Sequence, residues 1–191
     1  MNSYRTINRA LAGVAFLVTF ITYAMTLQPS VPFWDCGEFS AAATWQQVPH
    51  PPGAPLWLII GRVFQLLIPS NDPGWSLNLF SAFCSAVTAG LVYLIVVQAI
   101  ERWKPFREGG GIASYLGTFG GGLIGTLAFT FSDTQWFNSV ESEVYAGGTT
   151  LIALLMWLIM VWDSKHDKPG HERYLLLIAY VCWLAIGIHL L

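Results

Sequence analysis

The sequence predicts an all-α, polytopic transmembrane helical bundle of about five spans, with an extra outer juxtamembrane or re-entrant helix. Three observations predict it. Only 10% of the 191 residues are charged, 54% are hydrophobic and mean hydropathy is +0.54. A soluble domain carries about 25% charged residues, so the natural solvent of this chain is lipid. Five apolar runs, 10–27, 77–100, 112–131, 145–162 and 174–191, come close to the roughly 20 residues a helix needs to cross a hydrocarbon core of about 30 Å. The segments between these runs alternate in charge.

The first run follows Arg5 and Arg9, as a signal peptide would. It is longer than an ordinary h-region and lacks a good A-x-A cleavage site, so it reads as a retained helix. Segments 1–9, 101–111 and 163–173 hold Arg5, Arg9, Arg102, Lys104, Arg107, Lys165, Lys168 and Arg173, eight of the nine basic residues. Segments 28–76 and 132–144 hold Asp35, Glu38, Asp72, Asp133, Glu141 and Glu143, with Arg62 as their only cation. The positive-inside rule then places the N-terminus in the cytoplasm and the acidic loops outside. Segment 54–68 is short, and an Arg at mid-membrane costs at least about 2.5 kcal/mol. If it crossed, every later loop would land on the wrong side. It is therefore expected to lie at the outer interface or re-enter, inside an outer loop of interfacial helices spanning 28–76.

Packing signals agree with a bundle. Gly117, Gly121 and Gly125 share a helical spacing, as do Ser81, Ser85 and Ala89, and small residues let helices approach closely in lipid. Trp34, Trp45, Trp57, Trp75, Trp136 and Trp162 fall near span ends or in outer loops, where interfacial anchoring is expected. The last run ends without a polar tail, so residues 1–191, read as one transmembrane domain, are expected to be the N-terminal part of a longer protein.

No basic, aromatic-interleaved patch points to nucleic acid. Ionisable residues cluster in the outer loops rather than mid-helix, which argues against a transporter or channel. Cys36, Cys84 and Cys182 form no disulfide framework or CxxC knuckle.

The first outer loop carries most of the chemistry. It reads Pro32-Phe33-Trp34-Asp35-Cys36-Gly37-Glu38-Phe39 and then His50-Pro51-Pro52-Gly53-Ala54-Pro55. Its prolines stiffen the backbone. Asp35 and Glu38 have the spacing of a capping box for a helix running to about Gln47, and equally of a base beside a second acceptor. His50 suits a proton carrier or a donor to phosphate, or merely satisfies loop backbone. Arg62 suits an anionic headgroup or lipid phosphate, or snorkels without selectivity. His189, near the outer end of the last run, is costly there unless partnered and so is expected to face the same cavity. Glu141 and Glu143 either approach one ligand or belong to a solvated acidic loop.

Trp34-Asp35-x-Gly37-Glu38-Phe39, His50-Pro51-Pro52-Gly53 and Glu141-x-Glu143-Val144-Tyr145 together resemble the protein O-mannosyltransferase-like membrane proteins of the GT-C class. The resemblance extends from Ala10 through His189. It implies a GT-C-like N-terminal module that transfers a sugar, mannose, from a polyprenyl-phosphate donor to a Ser or Thr hydroxyl of an extracytoplasmic protein. Catalytic roles fall on Asp35, as base, and Glu38. Substrate contacts fall on His50, Arg62, Trp34, Glu141, Glu143 and His189. The implied partners are membrane lipid, the lipid-linked sugar and an acceptor protein, in a cell inner membrane or the ER. The implied loop faces the periplasm or lumen.

The residue types suit that reaction. A carboxylate can take the hydroxyl proton during attack at the anomeric carbon, and one base without a covalent intermediate predicts inversion. The leaving phosphate needs a cation or donor, for which Arg62 and His50 stand ready. Asp35, Glu38 and Glu141 are hard oxygen donors suited to Mg²⁺ or Mn²⁺, although mannosyltransferase relatives work without a metal. The alternative is a non-catalytic membrane subunit that holds lipid or membrane-protein partners.

Overall fold

The computed structural model describes residues 2–107 and 110–189. The described residues are helical, with no strand. In chain order the helices are α1 (Asn2–Met25), α2 (Cys36–Trp45), α3 (Pro55–Leu67), α4 (Pro73–Trp103), α5 (Gly111–Thr130), α6 (Asp133–Ser139), α7 (Val144–Asp163) and α8 (Glu172–Ile186). Four are long and apolar enough to cross a membrane: α1, from Ser3, and α4, α5 and α7. The fifth expected span, 174–191, is helical only as the 15-residue α8, and 190–191 lie outside the described residues.

The bundle has two poles. At one, Tyr4 of α1 meets Phe106, just past α4, with ring centroids 5.0 Å apart, and Phe106 meets Tyr115 of α5 at 5.1 Å. Arg102 pairs with Asp163 there, and Lys165 donates to the Tyr174 hydroxyl. This pole gathers the basic segments. At the other, the Gln28 N–H donates to Val140 O at 3.1 Å, and the Leu56 N–H donates to Gly187 O at 2.7 Å. This pole gathers the acidic loops. Short α8 therefore still runs from the basic pole to the acidic one, with Gly187 to His189 completing the traverse as a turn.

Helix α3 begins and ends at the acidic pole. Its start touches Gly187, and its Gln65 Nε2 donates to Pro73 O, at the start of α4, at 3.2 Å. Ser76 Oγ donates to Ile68 O at 3.2 Å. The helix does not traverse the bundle, as the charge pattern requires. Pro55 at its first turn lacks an N–H that would otherwise be unsatisfied. Its outer face leaves Ile59, Val63, Leu66 and Leu67 exposed, the pattern of a helix lying in an interface.

Two packing expectations need correction. Gly121 and Gly125 approach Ile100 and Val96 of α4, but nothing lies within 4 Å of a Cβ built at Gly117. The turn Leu116–Gly120 is π-helical, and its extra residue rotates Gly117 off the shared face. The tightest contact falls instead at Gly122, where a Cβ would stand 2.5 Å from Val97 Cγ2. The other stripe holds: Ser81, Ser85 and Ala89 are all buried, and Ser85 Oγ accepts from Ser139 Oγ of α6 at 2.8 Å. Trp57 is no interfacial anchor. It is fully buried, packed on Phe39 and Phe80 with centroids at 5.5 and 6.0 Å. Truncating such a side chain costs about 3–5 kcal/mol, so Trp57 fixes α3 against α2 and α4.

Candidate active site

The acidic pole is assembled from three straps. Asn78, fully buried on α4, donates from Nδ2 to Gln28 O at 2.9 Å and Ser30 O at 2.8 Å. This ties the loop after α1 to the scaffold. Asp72 caps α4, accepting from the N–H groups of Gly74 at 2.9 Å and Trp75 at 3.2 Å. A contact with Ser30 and these two N–H bonds hold its carboxyl below the usual range. The third strap joins α2 to the loop before α7: Ser40 Oγ and Ser142 Oγ lie 3.1 Å apart, and Ser142 Oγ donates to Cys36 O at 3.4 Å.

Between these straps opens a cavity of about 710 Å³, lined by residues 28–35 on one side and by Phe137, Asn138, Glu141, Glu143 and Tyr145 on the other. A smaller recess of about 40 Å³ adjoins it, lined by Asp35, Phe39, His50, Glu143, Tyr145 and His189 among others. Asp35, Glu143 and Tyr145 line both. Asp35 thus stands where the two spaces meet.

Asp35 occupies the N-cap position of α2, but its side chain makes no cap hydrogen bond. The capping-box reading is not what forms. Glu38, which would reach back to the cap, turns instead to His50: Glu38 Oε2 lies 2.7 Å from His50 Nδ1, and Glu38 Oε1 accepts the His50 backbone N–H at 2.6 Å. Hydrogen bonding to His50 lowers the Glu38 pKa, and the same contact raises that of His50. Glu38 is therefore committed to the His-Pro-Pro turn, and Asp35 is left facing the cavity.

The second loop is not a solvated acidic loop. Glu141 and Glu143 are 6% and 5% exposed. Burial, with Glu143 as a like-charged neighbour, pushes Glu141 up to about 7. Burial also raises Glu143, against an opposing hydrogen bond from Cys36 Sγ at 3.5 Å. The Cys36 thiol is pushed up to about 12 by burial and the two glutamates, so it stays protonated as a packed donor.

Trp34 lines the cavity mouth, exposed, in the left-handed region at φ 73°. A bulky side chain rarely adopts that conformation without a reason; it projects the indole outward beside exposed Phe33. His189 lies in the recess with its ring 5.5 Å from Tyr145. Arg62 is the expected residue the fold does not bring here. It lines neither space, and its Nη1 reaches Gln65 Oε1 at 3.5 Å. One ligand atom each from Asp35, Glu38 and His50 lies within a mutual 4.8 Å. Glu141, expected as a third oxygen donor, is not in that cluster. A divalent ion there would have an O, O, N donor set and would have to displace the Glu38–His50 bond.

Residues 35–191 match the family described as Protein O-mannosyl-transferase TMEM260 N-terminal domain. The chain belongs to this family. It is 30% identical over 162 residues to the protein O-mannosyl-transferase tmem260 of Dictyostelium discoideum, covering 83% of this chain and 18% of that protein. It is 27% identical over 179 residues to the protein O-mannosyl-transferase TMEM260 of Mus musculus, covering 93% of this chain and 23% of that one. The chain thus spans about a fifth of the length of the curated relatives it matches. No solved structure matches it.

Within this family fold, sequence reasoning missed Tyr145, Phe137 and the Ser40–Ser142 strap. Tyr145 enters the sequence reading only within the Glu141–Tyr145 motif and as the start of the run 145–162, not as a site residue. Ser142 carries no signal beyond its place between two glutamates.

Proposed function

We propose that this chain is the N-terminal catalytic module of a GT-C-type membrane glycosyltransferase, moving mannose from a polyprenyl-phosphate donor to a Ser or Thr hydroxyl of a protein. One observation carries the reading: Asp35 lines both the large cavity and the recess while its neighbour Glu38 is bound to His50. Family membership supports the reaction class.

In this reading the acceptor hydroxyl oxygen attacks the anomeric carbon from the face opposite the phosphate. The new C–O bond forms as the bond to the phosphate oxygen breaks, and that electron pair leaves with the phosphate. The hydroxyl proton passes to Asp35, and the configuration inverts. The Glu38–His50 pair holds the imidazole at the recess with its pKa raised by the Glu38 hydrogen bond, so that in its protonated form it would serve as the donor to a leaving phosphate. Arg62, placed on α3 away from both spaces, acts at most on the lipid surface. The basic pole faces the cytoplasm with the N-terminus, and the cavity faces the periplasm or lumen.

The test is Asp35→Asn in the full-length protein, assayed with polyprenyl-phosphate mannose and a Ser/Thr peptide. Transfer is expected to fall by about 10²–10⁴-fold with unchanged thermal stability. Full activity in the variant removes Asp35 as base. No transfer by the unmodified protein, together with stable co-purifying subunits, supports the reading as a binding subunit instead.

A further inference from the structure

At the pole opposite the cavity, the turn between α7 and α8 encloses a second concavity of about 450 Å³, lined by Lys165, Lys168, Pro169, Gly170, His171, Arg173 and Tyr174. No carboxylate lines it. The acids close by in sequence have other partners: Asp163 pairs with Arg102, Asp167 with His166 at 3.2 Å and Glu172 with His171 at 3.6 Å. Among the described residues, Lys168 and Arg173 have no carboxylate partner. Lys165 donates to the Tyr174 hydroxyl and lies 4.7 Å above that ring's centroid. This holds one cation at the wall of the cavity.

The turn is shaped around these charges. Gly170 sits at φ +82°, and the Arg173 guanidinium folds across it, with Cζ 3.9 Å from where a Cβ would be. Trp162 Nε1 donates to His171 Nδ1 at 3.3 Å, locking the turn onto the end of α7. Along the two helices that the turn joins, Met156 and Ile159 of α7 and Leu176 and Tyr180 of α8 are exposed. A three-cation pocket thus stands at the turn joining two helices that expose apolar side chains.

We propose that this pocket holds the phosphate headgroup of an anionic membrane lipid, whose acyl chains lie along the exposed apolar side chains of α7 and α8. Cationic pockets between helices at a membrane surface attract such headgroups. The apolar side chains exposed on the two helices favour a lipid over a free phosphate.

The experiment uses the full-length protein in nanodiscs of phosphatidylcholine with a minor fraction of phosphatidylglycerol. Lipid retained after detergent extraction is counted by native mass spectrometry. The unmodified protein is expected to retain phosphatidylglycerol over phosphatidylcholine. The double variant Lys168→Ala/Arg173→Ala is expected to lose that preference by at least about tenfold. Lys104→Ala, at the same pole but outside the pocket, is expected to keep it, and a melting curve confirms that each variant is folded. Equal retention by the double variant overturns the proposal. So does displacement of the lipid by inorganic phosphate at the same concentration as by phosphatidylglycerol, which marks a soluble-anion site. If the double variant unfolds, Lys168→Arg/Arg173→Lys serves in its place: retained preference supports the charge-based site, and lost preference overturns it.

Discussion

His50 is bound twice by Glu38: its imidazole Nδ1 lies 2.7 Å from one carboxylate oxygen, and its backbone N–H donates to the other at 2.6 Å. The two residues are twelve apart in sequence, Glu38 in the first turn of α2 and His50 in the loop that follows the helix. Their bond closes the stretch between them into a loop and sets the His-Pro-Pro turn beside Asp35.

This relationship gives a pH window. The Glu38 pKa is lowered, so its contribution is present above the ordinary carboxylate range and is lost as pH falls through its folded value. The His50 pKa is raised, so its contribution is present below the ordinary histidine value and is lost as pH rises through the higher folded one. Order in residues 46–54 is therefore expected to be greatest between the two. Glu38→Gln should abolish the acid limb. Amide exchange of this segment against pH measures it, and an unchanged profile in the variant refutes the coupling.

Glu141 titrates in the opposite sense. Its folded pKa of about 7 stands above the ordinary value of 4.5, so the folded state binds the extra proton and stability falls as pH rises from about 4.5 to 7. Glu141→Gln should flatten that slope. Melting temperature measured across this range checks it, and an unaltered slope assigns the effect elsewhere.

Gly74 lies against Val31, a residue of the cavity wall. A Cβ at Gly74 would fall 2.5 Å from Val31 Cγ2 and 3.0 Å from Val31 N. Backbone cannot yield as a side-chain tip does, so Gly74→Ala should destabilise by about 1–3 kcal/mol and push the wall out of place. Denaturant midpoints and transfer activity should fall together. A neutral substitution would show that the wall is pliable.

On the proposed role of Asp35 as a base rather than a ligand, transfer is expected to survive EDTA. Loss of activity with EDTA and rescue by Mn²⁺ or Mg²⁺ would reassign Asp35, Glu38 and His50 as a cation site.

The helical class, its apolar helices and the separation of basic from acidic segments were legible in the sequence, because hydropathy and charge act locally. The Trp34 to Phe39 motif marked a loop that the fold sets at the wall of the large cavity. What Glu38 does was not legible. A capping box and a carboxylate–histidine bridge have identical local spacing, and only the fold of the proline turn brings His50 within 2.7 Å. The same limit hid the burial of Glu141 and Glu143 and the displacement of Gly117. Arg62 shows it most plainly: as the lone cation among acidic segments it suggested a phosphate contact, yet the direction of α3 turns it toward Gln65. Composition and period decide which segments meet lipid. Only packing between segments distant in the chain decides which side chains meet each other.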